Sequence, residues 1–142
     1  MSIYADTSFL VPLYVLDTNS ALAAARMRRA ELPLLITPFV ELELVNFISL
    51  RIFRRELKAA DAKAAHSLVR KDIEKGVLQI KPIPAAAFER AKQIARRATA
   101  SLGTRALDVL HVALALLHKA EAFYTFDARQ AKLAAAEGLT VL

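Results

Sequence analysis

The chain has 142 residues, which suits one domain, and 56% of them are apolar, enough to bury a substantial core. That balance excludes intrinsic disorder and low-complexity architectures. Lys and Arg number 20 against 14 Asp and Glu, a net +6 that points to a polyanion more readily than to an acidic protein. With no cysteine, a disulfide framework, a thiolate metal site and a Cys nucleophile are all excluded, and a reducing cytoplasm is the expected setting. Val109 to His118 is among the longest runs without a charged residue, too short to span a bilayer. The N-terminus has no basic region and Asp6 interrupts its apolar stretch, so neither a membrane segment nor a signal peptide is expected.

In chain order, Met1 to Ala5 reads as a short buried strand. Thr7 or Ser8 then caps a helix containing Pro12, and Asp17 to Arg29 is a second, Ala-rich helix. Leu32 to Thr37 is a strand, Pro38 opens a helix to about Arg54, and Ala59 to Lys75 forms another that Gly76 ends. Val77 to Ile83 is extended, Ala85 to Ala100 helical, and Gly103 breaks the chain before an apolar helix from Arg105 to Lys119. Ala122 to Phe126 reads as a strand, Asp127 or Ala128 starts a short helix, and Leu139 to Leu142 is a last strand. Strands alternate with helices long enough to cross over. The expected architecture is a single α/β domain of three layers, with a central, mainly parallel sheet.

The charge is unevenly spread. Residues 51–107 carry 14 basic and 5 acidic side chains, whereas the flanking segments are slightly acidic. Most of that basic block reads as exposed helix faces; part of it is a candidate patch drawing phosphates toward acids held elsewhere. Four acids sit in apolar company: Asp6 in IYADTSFL, Glu43 in VELELVNF, Asp108 in RALDVLHVAL and Asp127 in FYTFDARQ. A carboxylate near an apolar interior is costly unless something pairs with it. Asp6 and Asp127 follow expected parallel strands, at the edge where open α/β sheets meet ligands. Asp108 lies in a first helical turn, where the macrodipole tolerates negative charge. Taken singly, Asp6 and Asp127 read first as N-caps, Asp108 equally as a dipole residue, and Glu41 competes with Glu43. Taken together, one cation explains all four, and an oxygen-only set without a His or Cys cluster favours Mg²⁺ or Mn²⁺.

The spaced set resembles the PIN-domain family, and within it the VapC-like toxin ribonucleases. The resemblance spans nearly the whole chain and implies a single PIN-like domain over residues 1–142. It rests on YADTSFLVPLY, TPFVELELVNFISLRIFRRELKAADA, GTRALDVLHVALAL and AFYTFDARQAKLAAAEGL. It implies a PIN-like three-layer α/β/α fold with an acidic metal site at the carboxyl edge of the sheet. By resemblance, Asp6, Glu43, Asp108 and Asp127 are the catalytic acids. Glu43 is chosen over Glu41 because the family acid precedes an Asn by three residues, here Asn46. Asp6, Asp108 and Asp127 would hold one or two Mg²⁺ ions, with Glu43 bound directly or through water, and Ser8 and Thr125 are matching hydroxyls. Arg105, one turn before Asp108, reads equally as a phosphate contact or as an ion pair with a site carboxylate.

The activity implied is hydrolysis of RNA to a 5′-phosphate and a 3′-hydroxyl. The partners implied are RNA, a VapB-like antitoxin and a second copy of the chain, with Asn46, Phe47, Leu50 and Phe53 as candidate surface for them. His111 reads as a hydrogen-bonded core histidine before a metal ligand, and His66 and His118 as surface residues. Tyr4 and Tyr124 fall in buried strands, so the sequence offers no element that reads bases. Two other readings compete: a catalytically silent PIN-like module that binds nucleic acid or a partner, and a metal-dependent phosphatase. Against the latter, Asp6 is followed by Thr7 and Ser8 and lacks the Asp-x-Asp start of a common phosphatase class.

Overall fold

The computed structural model describes residues 1–142. Five short strands, β1 (Ile3–Ala5), β2 (Leu34–Ile36), β3 (Leu78–Ile80), β4 (Ala122–Tyr124) and β5 (Thr140–Val141), form one parallel sheet in the order β3-β2-β1-β4-β5. Every residue of β1, β2 and β4 is buried, as expected of inner parallel strands covered on both faces, whereas the edge strands β3 and β5 are partly exposed. Seven helices cover the sheet: α1 (Thr7–Tyr14), α2 (Ser20–Met27), α3 (Pro38–Phe53), α4 (Ala59–Glu74), α5 (Ala86–Leu102), α6 (Ala106–Leu117) and α7 (Ala128–Ala136). They pack in two groups, α1 to α4 and α5 to α7, which gives the three-layer α/β/α arrangement.

The element boundaries follow local chemistry. Asp6, rather than Thr7 or Ser8, caps α1: its backbone is extended and its Oδ1 accepts the Phe9 N–H at 3.1 Å. The two hydroxyls are drawn elsewhere, Ser8 to Asp6 and Thr7 to Glu43. The second helix begins at Ser20, not Asp17, because Asp17 forms a turn. Its Oδ1 accepts from Asn19 N at 2.7 Å, and its own N–H donates to Ser20 Oγ at 2.9 Å. Thr37 caps α3 with Pro38 at the first helical position. Gly103 ends α5 at φ 65°, a left-handed conformation that favours glycine. The strands are shorter than the apolar runs suggest. After Tyr124 the chain leaves the ladder, and Thr125 and Phe126 turn toward α1.

The strand order places the site. The chain moves outward from β1 to β2 and β3, then returns to the other side of β1 for β4 and β5. Its direction reverses between β1 and β4, where the loops leaving the two strands diverge and open a crevice. Asp6 lies one residue beyond β1 and Asp127 three beyond β4. The Asp6 N–H extends the ladder to Tyr124 O at 3.1 Å, which fixes the two strand ends side by side.

Candidate active site

A groove of about 650 Å³ opens at this crevice. Asp6, Glu43, Asp108 and Asp127 all line it, together with Ser8 and Arg105. Four segments far apart in sequence supply the acids: the β1–α1 junction, α3, the first turn of α6, and the β4–α7 junction. Thr125 stands behind this wall, buried, with its hydroxyl on Asp6. Glu41 faces away, into a second cavity between α3 and α4 that also holds His66. Two residues along a helix turn the side chain through roughly 200°, so only one of the two glutamates can face the crevice.

Each acid is held by donors of its own. Asp6 is 5% exposed; its Oδ1 accepts from Ser8 Oγ at 2.7 Å and Phe9 N at 3.1 Å, and its Oδ2 from Thr125 Oγ1 at 2.6 Å. Burial pushes its carboxyl above the ordinary value, against the pull of those bonds and of His111. Glu43 accepts from the Thr7 hydroxyl and lies 3.0 Å from His111 Nε2. Burial pushes Glu43 up, but the His111 bond and charge, with Thr7 and Arg105, outweigh it and leave the carboxyl below its ordinary value. Asp108, buried, accepts at Oδ2 from the Arg105 N–H at 3.0 Å and from Arg105 Nε at 3.3 Å. Asp127 caps α7 through Arg129 N at 2.9 Å and Gln130 N at 3.1 Å, and its Oδ2 lies 3.6 Å from Arg105 Nη2.

His111 is buried and hydrogen-bonded on both sides, with Nδ1 3.0 Å from the Tyr4 hydroxyl and Nε2 at Glu43. Since an ionised Glu43 can only accept, Nε2 carries the proton of that bond. Its burial agrees with the core position expected from the sequence, whereas its contact with Glu43 is set by the fold, which alone brings α3 and α6 together. Thr7 and Gln130 are likewise additions. Gln130 is 1% exposed and donates Nε2 to the Asp108 carbonyl at 3.2 Å, while its Oε1 makes no hydrogen bond. A glutamine three residues past an N-capping Asp, in an otherwise Ala-rich helix, is the only trace of this in the sequence. Asn46, Phe47 and Leu50 line the groove, whereas Phe53 lies at the exposed end of α3. His66 and His118 are half-buried rather than exposed, and His118 Nε2 donates to Pro82 O at 2.7 Å.

The donor set decides whether a metal ion suits the groove. The acids offer oxygen alone, which fits a hard divalent cation. As the side chains lie, no three Asp, Glu or His residues form a ligand group. The reason is local: each carboxylate is turned toward its own donors, and Arg105 spans Asp108 and Asp127. The residues therefore fit a hard cation in kind, and the Arg105 guanidinium sits on one oxygen of each of Asp108 and Asp127 that such an ion would use.

Sheet order, flanking helices and an acidic crevice at the reversal point define an α/β/α domain that presents carboxylates at the edge of a parallel sheet. A model of the PIN domain matches residues 3–136, and the chain belongs to the PIN domain family. No curated protein matches it in sequence. Among solved structures, VapC20 of Mycobacterium tuberculosis, described as a sarcin-ricin loop cleaving toxin, has a TM-score of 0.69 at 21% identity, over 97% of each chain. PAE2754 from Pyrobaculum aerophilum has a TM-score of 0.63 at 16% identity, over 99% of this chain and 89% of its own. At these identities the likeness is one of fold.

Proposed function

We propose that the chain is a Mg²⁺-dependent endoribonuclease, with Mn²⁺ as a substitute, and the toxin of a type II toxin–antitoxin pair. One observation carries this reading: four carboxylates from distant segments line a single groove at the reversal point of the sheet. Membership of the PIN family supports it, as does the likeness in fold to a toxin that cleaves the sarcin-ricin loop. Asp6, Asp108 and Asp127 are the residues that would hold the ion. When bound, it supplies activation of water and stabilisation of the leaving oxygen.

The chain's own residues do the rest. Ser8 and Thr125 hold both oxygens of Asp6 toward the crevice. Thr7 and His111 fix Glu43 in its ionised form, ready to orient the attacking water through Oε1 or Oε2. Arg105 offers a guanidinium to the scissile phosphate. A VapB-like antitoxin, a homodimer and a cytoplasmic setting belong to the same proposal. No helix is long and apolar enough to cross a membrane.

The test is incubation with structured RNAs, tRNAs included, in Mg²⁺ and then in EDTA. Cleavage that stops with EDTA and is absent from Asp6→Asn and Asp108→Asn is expected. An Asp6→Asn protein that cuts RNA like its parent refutes the assignment. The ion-paired state of Asp108 and Asp127 favours a second reading, a silent binding module. RNA or partner binding with no cleavage in Mg²⁺ or Mn²⁺ supports that one instead.

A further inference from the structure

We propose that Arg105 is a built-in counter-ion that competes with the divalent cation for Asp108 and Asp127 and, once displaced, closes on the RNA phosphate. The inference rests on the nuclease reading above and concerns how that site is loaded.

Five of the side chains lining the groove are acidic, Asp6, Asp17, Glu43, Asp108 and Asp127, and Arg105 is the one Lys or Arg among them. Its side chain touches one oxygen of each of two acids, Nε at 3.3 Å from Asp108 Oδ2 and Nη2 at 3.6 Å from Asp127 Oδ2. It therefore relieves the repulsion that a divalent cation would otherwise relieve, and the two compete for the same oxygens. The grip is built to be released. Two-thirds of the Arg105 side chain is exposed, so the guanidinium leaves without uncovering a core. Asp108 does not lose its orientation when that happens, because the Arg105 backbone N–H still bonds Oδ2 at 3.0 Å at the start of α6. Amide and guanidinium of one residue thus have separate jobs, a fixed anchor and a movable charge.

A guanidinium expelled from the acids stays tethered at the groove, since its backbone caps α6. The remaining ligand that suits a planar fork there is a phosphate, which accepts two parallel N–H bonds. Arg105 then has opposite effects on the two ligands. It weakens cation binding in the free protein and strengthens RNA binding in the loaded one.

The test measures Mn²⁺ binding to the full chain without RNA, by titration calorimetry or by loss of the free Mn²⁺ EPR signal. RNA cleavage at saturating Mn²⁺ is measured in parallel. The proteins are the parent, Arg105→Ala, Arg105→Lys and Asp108→Asn, each first shown to melt cooperatively. Arg105→Ala retains the capping N–H, so folding is expected. Its Mn²⁺ affinity should rise by about fivefold, the low end of coupling between two ligands. Its KM for RNA should rise by about tenfold, with Arg105→Lys between parent and Ala on both counts. Unchanged or weaker Mn²⁺ binding by Arg105→Ala overturns the proposal, and so does tighter Mn²⁺ binding with an unaltered KM. Mn²⁺ uptake that Asp108→Asn abolishes but Arg105→Ala leaves alone overturns the exchange while the metal-site reading stands. No Mn²⁺ uptake by the parent removes that reading, and the exchange with it.

Discussion

Asp6 holds two positions at once, one in the groove and one at the start of α1, and two substitutions separate them. Asp6→Asn and Asp6→Ala both discard the buried negative charge, so the relief of a carboxyl pushed up by burial is common to both and cancels when they are compared. What differs is chiefly Oδ1, although the Asn amide also puts a donor beside Thr125 Oγ1 where Ala puts nothing. Asn keeps an acceptor for the Phe9 N–H and the Ser8 hydroxyl, and Ala keeps neither. Loss of the cap costs about 1 kcal/mol, and a part-buried hydroxyl left without its acceptor costs about 1–3 kcal/mol. The Ala variant should therefore be less stable than the Asn variant by about 2–4 kcal/mol, or about 8–15 °C in Tm for a domain of this size. Thermal unfolding followed by circular dichroism at neutral pH in EDTA reads that difference free of any metal contribution. Neither variant should cleave RNA. Melting points within about 2 °C of each other would show that Asp6 does not hold the helix start, and the local account of the site would fail with it.

Three further outcomes are expected. Tyr4→Phe removes only the hydroxyl bonded to His111 Nδ1 and leaves that buried nitrogen unpaired; urea unfolding should show a loss of about 1–2 kcal/mol at unchanged m-value, and an unchanged midpoint would contradict that hydrogen bond. Glu43 is held below its ordinary value, so it contributes stability that is present above the unfolded value and lost as pH falls through the lower, folded one. Between about pH 5 and about pH 2, Glu43→Gln should lose stability less steeply than the parent in denaturant titrations, and parallel slopes would refute the His111–Glu43 bond. Gly103 sits at φ 65° with no atom within 4 Å of an added Cβ, so Gly103→Ala should cost about 1 kcal/mol of backbone strain alone, and a loss several times larger would mean a neighbour constrains the turn.

Much of this geometry is legible in the residues, and the parts that are not share a cause. The order of strands and helices follows from apolar runs, Gly76, Gly103 and Gly138, and the capping residues, all of which act within a few positions of themselves. The sheet order does not, because it depends on which strands pair across more than a hundred residues, as β1 and β4 do. The acids stand out singly by their apolar surroundings. Their donors do not: Thr7 and His111 reach Glu43 across gaps of 36 and 68 residues. The start of α1 has three candidate caps, Asp6, Thr7 and Ser8, and the fold decides among them. Thr7 and Ser8 are good caps locally, but the folded groove gives their hydroxyls charged acceptors, and charge-assisted bonds outrank a neutral cap.

The distribution of charge in the folded chain constrains how a polyanion can approach. The stretch from residue 51 to 107 holds 14 of the 20 basic residues, yet of these only Arg105 lines the groove. The attraction implied by a net +6 therefore acts from the outer faces of α4 and α5 and the loops around them, not from the crevice. The crevice itself presents five carboxylates and repels phosphate. If the chain acts as proposed above, a polyanion drawn to the surface would enter only once those carboxylates are neutralised, and capture of the nucleic acid and loading of the groove would be separate events in separate places. On that reading Arg105, joined to the basic block by sequence and to the acids by geometry, would be the residue through which one event senses the other.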